Sequence, residues 1–337
     1  AWAGDRNRLK MEDFYRWQRR RLGYLMDGDE PAGGRWNFDH DNRQPPPRGA
    51  HEWPTPWRAP LDDIDHEVQR ELDRLDTTHG NFRGQGPDGV WPTSRASALA
   101  QLDHVIEHVL PHFGPHEDAM LSTNWHLAHT LLSPALNLGM LHPREVCDAV
   151  DTAYRRGRVP IASAEGVIRQ VIGWREYVWG IYWLWMPTYR SANQLEAHRP
   201  LPPLFDGAPT GMRCVATTMR DVDDHGWTHH IQRLMVLGNL ALLAGVQPMA
   251  LVNWMWERFV DGAEWVMLPN VIGMALHADG GRMATKPYAA GGAYIDKMSD
   301  YCKGCRYDRK QRTGPDACPF TTLYLSLIHI SEPTRRY

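Results

Sequence analysis

Cys302 and Cys305 form a CxxC pair, Cys318 precedes Pro319 after a basic loop of twelve residues, and Cys214 lies upstream in the same C-terminal half. A CxxC pair with two further thiols is one complete set of tetrahedral metal ligands. A compact loop carrying three of them suits a structural zinc ion or an iron–sulfur cluster. Spacing alone leaves that choice open, although the Cys-Pro dipeptide closes several cluster-binding runs and leans toward iron and sulfur. Disulfides are the weaker reading, because five cysteines in 337 residues are sparse and no signal peptide is visible. The fifth, Cys147, sits in an apolar helical pattern and reads as core.

His229 and His230 are adjacent, with Arg233 three residues further on. Neighbouring histidines usually divide into one core and one surface residue, and on consecutive helical positions they diverge and make a poor metal pair. The chain also carries 15 Trp and 12 Tyr, several clustered between Trp174 and Trp185 and at Trp254 to Trp256. Such clusters mostly pack cores and interfaces, yet they also stack flat cofactors and extruded bases, and neighbouring indoles pass electrons. A net charge of −3 hides basic stretches at Arg16 to Arg21 and Lys303 to Arg312, against acidic residues from Asp62 to Asp76. Basic patches of this kind meet phosphates or are merely solvated faces.

The elements that must position these groups read as helices. An amphipathic helix is expected over Met11 to Met26, followed by linker chemistry from Gly28 to Pro47. Apolar residues at three and four spacing mark a helix over Ser94 to Leu110, and Pro143 opens another. Thr228 is a plausible N-cap for a helix to about Ala244, which Gly245 ends; Pro248 starts the next, broken at Val260-Asp261-Gly262. No convincing strands follow residue 60, so the expected class is all-α. No run of about eighteen apolar residues suggests a membrane span, and a soluble, cytoplasmic protein is expected. From residue 325 the sequence resembles a translated sequencing adapter, so residues 325–337 are set aside from fold reasoning.

Several blocks in order resemble one family: Gly34 to Arg43 (GRWNFDHDNR), Thr130 to Asn137 (TLLSPALN), Gly173-Trp174-Arg175-Glu176, His229 to Arg233 (HHIQR), and the four cysteines. They are similar to the iron–sulfur bacterial cryptochromes and photolyases, also called prokaryotic (6-4) photolyases. The resemblance runs from Met11 to Tyr324 and implies a helical FAD-binding domain over 61–324. Residues 1–60 would then be the tail of an N-terminal α/β antenna domain and its linker, that domain being mostly absent here. Light-dependent repair of a (6-4) photoproduct in UV-damaged DNA is the implied activity. FAD and a 4Fe–4S cluster are the implied cofactors, and 6,7-dimethyl-8-ribityllumazine the implied antenna of the full-length protein. A monomer is the default.

By position in the family motifs, Cys214, Cys302, Cys305 and Cys318 would hold the cluster. Thr130, Leu131, Leu132 and Ser133 would hold the FAD pyrophosphate at the start of a helix from Pro134 to Met140. Arg233 would meet the flavin or a salt-bridge partner, for which Asp261 is the candidate. His230 would be the general acid, with His229 beside it. Trp174 and Tyr288 would pack the lesion and Lys286 a phosphate. Trp254 would feed electrons to the flavin, with Tyr294 a relay member. The chain departs from its relatives at Leu234, where animal enzymes carry a further histidine, at Asp206, where many relatives have tryptophan, and at Met267, near the reactive flavin nitrogen. Two other readings are a blue-light photoreceptor without repair activity and a zinc-stabilised helical nucleic-acid-binding module.

Overall fold

The computed structural model describes the chain except residues 1, 5, 7, 50, 81, 83 and 332–337. Helix α1 (Met11–Leu22) has Glu12 and Asp13 in its first turn and Arg19 to Arg21 in its last, which complements the helix dipole. It stops four residues before the expected Met26 because Gly23 takes the left-handed conformation (φ 79°) and caps the Arg19 carbonyl. Met26 instead starts β1 (Met26–Asp27), antiparallel to β2 (Glu30–Pro31). These two are the whole sheet among the described residues, in keeping with the all-α expectation.

The stretch from Gly28 to Pro47, expected as linker, is packed into the helical body through buried polar ties. The Phe38 amide donates to Glu165 Oε2 at 3.0 Å, Asn42 Nδ2 to the Ala162 carbonyl at 3.0 Å, and the Gln44 amide to the Pro115 carbonyl at 3.0 Å. Helix α1 is locked alongside by Tyr15, whose hydroxyl donates to the other Glu165 oxygen at 2.7 Å. Glu165 is fully buried, so each of these donors removes part of a large desolvation cost. Packing therefore does not change character at residue 60. Helix α2 (Asp63–His79) is the exception, capped by Asp62 and with no buried residue.

The core is built from α3 (Arg95–His104), α4 (Leu110–Phe113), α5 (Ser133–Asn137), α6 (Pro143–Arg155), α7 (Ile161–Ile168), α8 (Glu176–Trp185), α9 (Arg213–His225), α10 (Asn239–Ala244), α11 (Pro248–Arg258), α12 (Glu264–Pro269), α13 (Gly292–Met298) and α14 (Pro319–Ser331). Pro143 stands at the first position of α6, and Ser94 caps α3, as their sequence signals require. Cys147 is fully buried in α6. Four helical runs widen into π turns, at Val105–Val109, Arg169–Arg175, Gln232–Gly238 and Asn270–Ala275. Such turns insert a residue into the helical repeat and are frequent at functional sites. Two of them cross closely: a Cβ on Gly238 would lie 2.9 Å from the Ala275 Cβ. The segment set aside from residue 325 continues α14 to Ser331, and residues 332–337 lie outside those described. No helix among the described residues is long and apolar enough to cross a membrane.

Candidate functional site

Helix α9 ends at His225 on a left-handed Gly226 (φ 59°), and the chain runs unwound through Trp227, Thr228 and His229 before helix resumes at His230. Thr228 is therefore not the cap the sequence suggests. Its buried hydroxyl has no partner, and the His229 amide is taken by Gln232 Oε1 at 3.3 Å instead. The unwinding also frees the two histidines from consecutive helical positions. Their rings lie 5.9 Å apart at 66°, and His229 stacks on His129 at 4.6 Å and 14°. Nitrogens of His129, His229 and His230 all lie within 4.8 Å of one another.

Charge divides this trio. His229 is 2% exposed with no hydrogen bond to either nitrogen, and burial, reinforced by its cationic neighbours, holds its imidazole far below the ordinary range. His129 is held down in the same way. Burial also works against the charged form of His230, but there a hydrogen bond of 3.2 Å from Nε2 to Asp118 Oδ1, with that carboxylate's charge, outweighs it and raises the pKa. The His230 side chain is 45% exposed, so it is the member of the trio that can reach a bound molecule while protonated. Next to Asp118, burial pushes the Glu117 carboxyl up to about 7; it accepts from Gln170 at 2.8 Å and from Asn42 at 3.4 Å.

Tyr288 and Tyr294 stand on the same side. Burial raises both phenols, and both feel the charges of Arg43 and Asp118. Asp118, Glu117, His129 and Arg43 had no assigned part in the sequence reading; Arg43 closes the GRWNFDHDNR block, while the other three belong to no motif. Lys286 is exposed. Trp174 is not brought into this group by any ring contact. Its ring meets Tyr177 edge-on at 6.3 Å, and Tyr177 in turn packs on Phe14 and Trp2.

Beneath the histidines lies a second polar centre. Arg233, in the π turn after His230, pairs with Asp261 through two bonds of 2.8 and 3.1 Å, gives Nε to the Thr228 carbonyl at 2.7 Å and lies 4.0 Å over the Phe259 ring. The Ser133 hydroxyl donates to Asp261 Oδ2 at 2.7 Å, and Asn137 Nδ2 to the Asp261 carbonyl at 2.9 Å. The pairing of Arg233 with Asp261 is the one the sequence suggested, with Ser133 and Asn137 joined to it. Helix α5 spans only Ser133–Asn137, shorter than the expected Pro134 to Met140, because Gly139 turns the chain with φ 75°. Thr130 precedes Leu131, which takes a left-handed φ of 55°. Leu131 and Leu132 are buried, so this run offers backbone groups rather than side chains.

Trp254 is buried, donates Nε1 to the Phe205 carbonyl at 2.8 Å and meets Phe205 and Phe259 edge-on. Asp206 is exposed and 3.7 Å from Arg258.

The four cysteines line one cavity with Met212, Gly292, Ile295 and Phe320. Cys214 is the second residue of α9 and Cys318 immediately precedes α14. The loop between Cys305 and Cys318 is closed by the Asp308 amide on Asp316 and the Cys318 amide on Asp308. Gly304 turns the CxxC with φ 74°. Burial and the neighbouring thiols push Cys214 far up; Cys302 is pushed to about 12 by burial, Asp296 and the other thiols. Crowded buried thiols are poor thiolates until a cation stabilises them. A Cβ on Gly292 would sit 3.0 Å from Cys318 Sγ, so the backbone here leaves room for the sulfur and no more. Gly292→Ala is therefore expected to destabilise by about 1–3 kcal/mol, read as a lowered denaturation midpoint.

This mostly helical body has the fold of a photolyase. Over 66% of this chain it superposes on 49% of a bacterial class III photolyase from Agrobacterium tumefaciens, with a TM-score of 0.51 at 20% identity, a likeness of fold alone. The profile of the deoxyribodipyrimidine photo-lyase-related proteins matches residues 1–85. Over 327 residues, 97% of this chain, the sequence is 47% identical to a protein of Agrobacterium fabrum (strain C58) named as a (6-4) photolyase. The chain is thus similar to photolyase-related proteins and spans 64% of the length of that relative.

Proposed function

We propose that this chain is the helical catalytic part of a flavoprotein that repairs (6-4) photoproducts in DNA under light. The observation that carries the reading is His230: half-exposed, its pKa raised by Asp118, and three residues before the Arg233 of the buried Arg233–Asp261–Ser133 centre. A 47% identical relative named for this activity supports the substrate class.

The residues fit a bound FAD. The Thr228 hydroxyl, His129 Nε2 and both nitrogens of His229 are buried without partners in a site that already supplies a paired arginine, and unpaired buried donors are costly unless a ligand meets them. Arg233, Asp261, Ser133 and the backbone of Thr130 to Leu132 would hold it. When bound and excited in its reduced form, FAD supplies an electron to the lesion and takes it back after the bond breaks. The protein's own part is to flip and seat the damaged dinucleotide beside Tyr288, to give a proton from His230 Nδ1, the nitrogen not engaged with Asp118, and to exclude water with His229 and His129. Lys286 and the exposed arginines would meet phosphates.

At the four cysteines we read a 4Fe–4S cluster. The Cys318-Pro319 pair, a dipeptide that closes several cluster-binding runs, supports iron and sulfur over zinc. A ribityllumazine antenna would belong to sequence outside this chain, with residues 1–60 leading from it.

The test is blue-light repair of an oligonucleotide carrying one (6-4) photoproduct by the anaerobically purified protein, with a cyclobutane dimer as control. Restoration of the (6-4) strand in light alone is the expected result. A yellow-brown protein that photoreduces its flavin but restores neither strand would make the chain a photoreceptor, and a colourless one would return the zinc-stabilised module.

A further inference from the structure

Among the described residues, the tryptophan expected to deliver electrons makes its ring contacts with phenylalanines. The rings that Trp254 contacts are Phe205 at 5.0 Å and Phe259 at 6.0 Å, and benzene rings are far harder to oxidise than indoles. Beyond Phe205 the chain carries Asp206, an anion that cannot act as an electron relay. By contrast, a different set of indoles converges on the Arg233–Asp261 centre. Trp227 is 5% exposed, donates Nε1 toward Ser133 Oγ at 3.4 Å and lies 5.7 Å from the Arg233 guanidinium. Its ring centroid is 5.7 Å from Trp125 and 6.3 Å from Trp91, which are 6.2 Å from each other. Both outer indoles are half-buried, so one edge of the set meets solvent. The set is held rigidly: Trp125 stacks on His225 at 4.0 Å and 18°, and Trp91 Nε1 donates to the His225 carbonyl at 3.3 Å.

We propose that Trp227, supplied by Trp125 and Trp91, is the route by which a small solution thiol reduces the flavin under light, in place of the line through Trp254. The inference rests on the flavin reading above. In each turn an electron leaves the Trp227 ring for the photoexcited flavin, oxidised in the first turn and holding one electron in the second; the vacancy moves to Trp125 or Trp91, and a thiol at the surface refills it. Over two turns two thiols lose two electrons and two protons and join as one disulfide. The flavin keeps both electrons and one proton, and the other proton enters solvent. No protein bond is made or broken.

The test follows bleaching of the oxidised flavin in blue light, in the full chain with 2-mercaptoethanol, alongside light-induced indole radical signals by electron paramagnetic resonance. Trp227→Phe should slow bleaching by about tenfold or more and lose the radical signal, Trp227→Tyr should recover part of the rate, and Trp254→Phe should change it less than about twofold. The double variant Trp91→Phe with Trp125→Phe should match Trp227→Phe. Its rings make no hydrogen bond to Ser133, Arg233 or Asp261, so it carries the test should Trp227→Phe lose flavin. Wild-type bleaching in both the Trp227→Phe and the double variant, with full flavin content, or abolition by Trp254→Phe, would overturn the route and leave the flavin reading intact. A colourless wild-type protein would overturn the flavin reading, and the route with it.

Discussion

His230→Ala protein should bind its flavin and DNA yet repair (6-4) lesions more slowly by about 10²–10⁴-fold, the usual worth of a positioned general acid. The variant is expected to fold, because this imidazole is 45% exposed and its bond to Asp118 is shared with solvent. The proton it gives depends on Asp118, which raises its pKa against burial. Repair should therefore hold at low pH and fall as pH rises through that elevated value. Asp118→Asn removes the charge that raises it, so the alkaline limb should move to lower pH. A rate–pH profile of the single-turnover repair step measures both, and an unmoved limb in Asp118→Asn would remove that carboxylate from the mechanism. The same linkage acts on folding: the pair's contribution is fully present below the unfolded histidine pKa and is lost as pH rises through the folded one.

Asp261→Ala should have the larger effect on the protein itself. Arg233 is 18% and Asp261 7% exposed at the side chain, so removing the carboxylate strands a guanidinium among Phe259, Trp227 and the Thr228 carbonyl. Breaking a buried pair from one side costs about 3–5 kcal/mol. The Ser133 hydroxyl loses its acceptor in the same stroke. Expected together are a large drop in the urea midpoint at unchanged slope and a purified protein with little flavin. Asp261→Asn, which keeps the shape and one acceptor oxygen, should recover part of the stability but not the charge. Equal midpoints for Asp261→Ala and wild type would mean the pair contributes nothing net.

The helical class and the starts of α3 and α6 were legible because they rest on local chemistry, apolar spacing in the one and a proline in the other; the partnership of Arg233 with Asp261 came from the family resemblance. The cysteine set was legible on local grounds, three of its members lying within seventeen residues. What could not be read are contacts made by sequence-distant groups. Asp118 carries no motif and becomes meaningful only because folding places it 3.2 Å from His230, 112 residues away. His129 stacks on His229 across a hundred residues, and Trp91 reaches Trp227 over more. The linker reading of Gly28 to Pro47 failed for a related reason. Its glycines and prolines do turn the chain, but Phe38 and Asn42 between them are anchored by Glu165 and Ala162 far downstream. Thr228 was misread because the helix opens one residue later: His230 is its first residue, so His229 holds the cap position and Gln232 reaches back to its amide.

The π turn at Gln232–Gly238 has one more residue than a plain helix would place between His230 and α10. Each residue of an α-helix advances about 100° around its axis. Deleting a single residue from this turn, Leu234 for instance, would let the run relax to regular helix at little local cost. The wide turn is what absorbs the extra residue, so the helix on either side would keep close to its present register. The change would fall on the turn itself, where Arg233 reaches Asp261. The number of residues in this turn is therefore a local requirement of the site, felt at Arg233 rather than at α10.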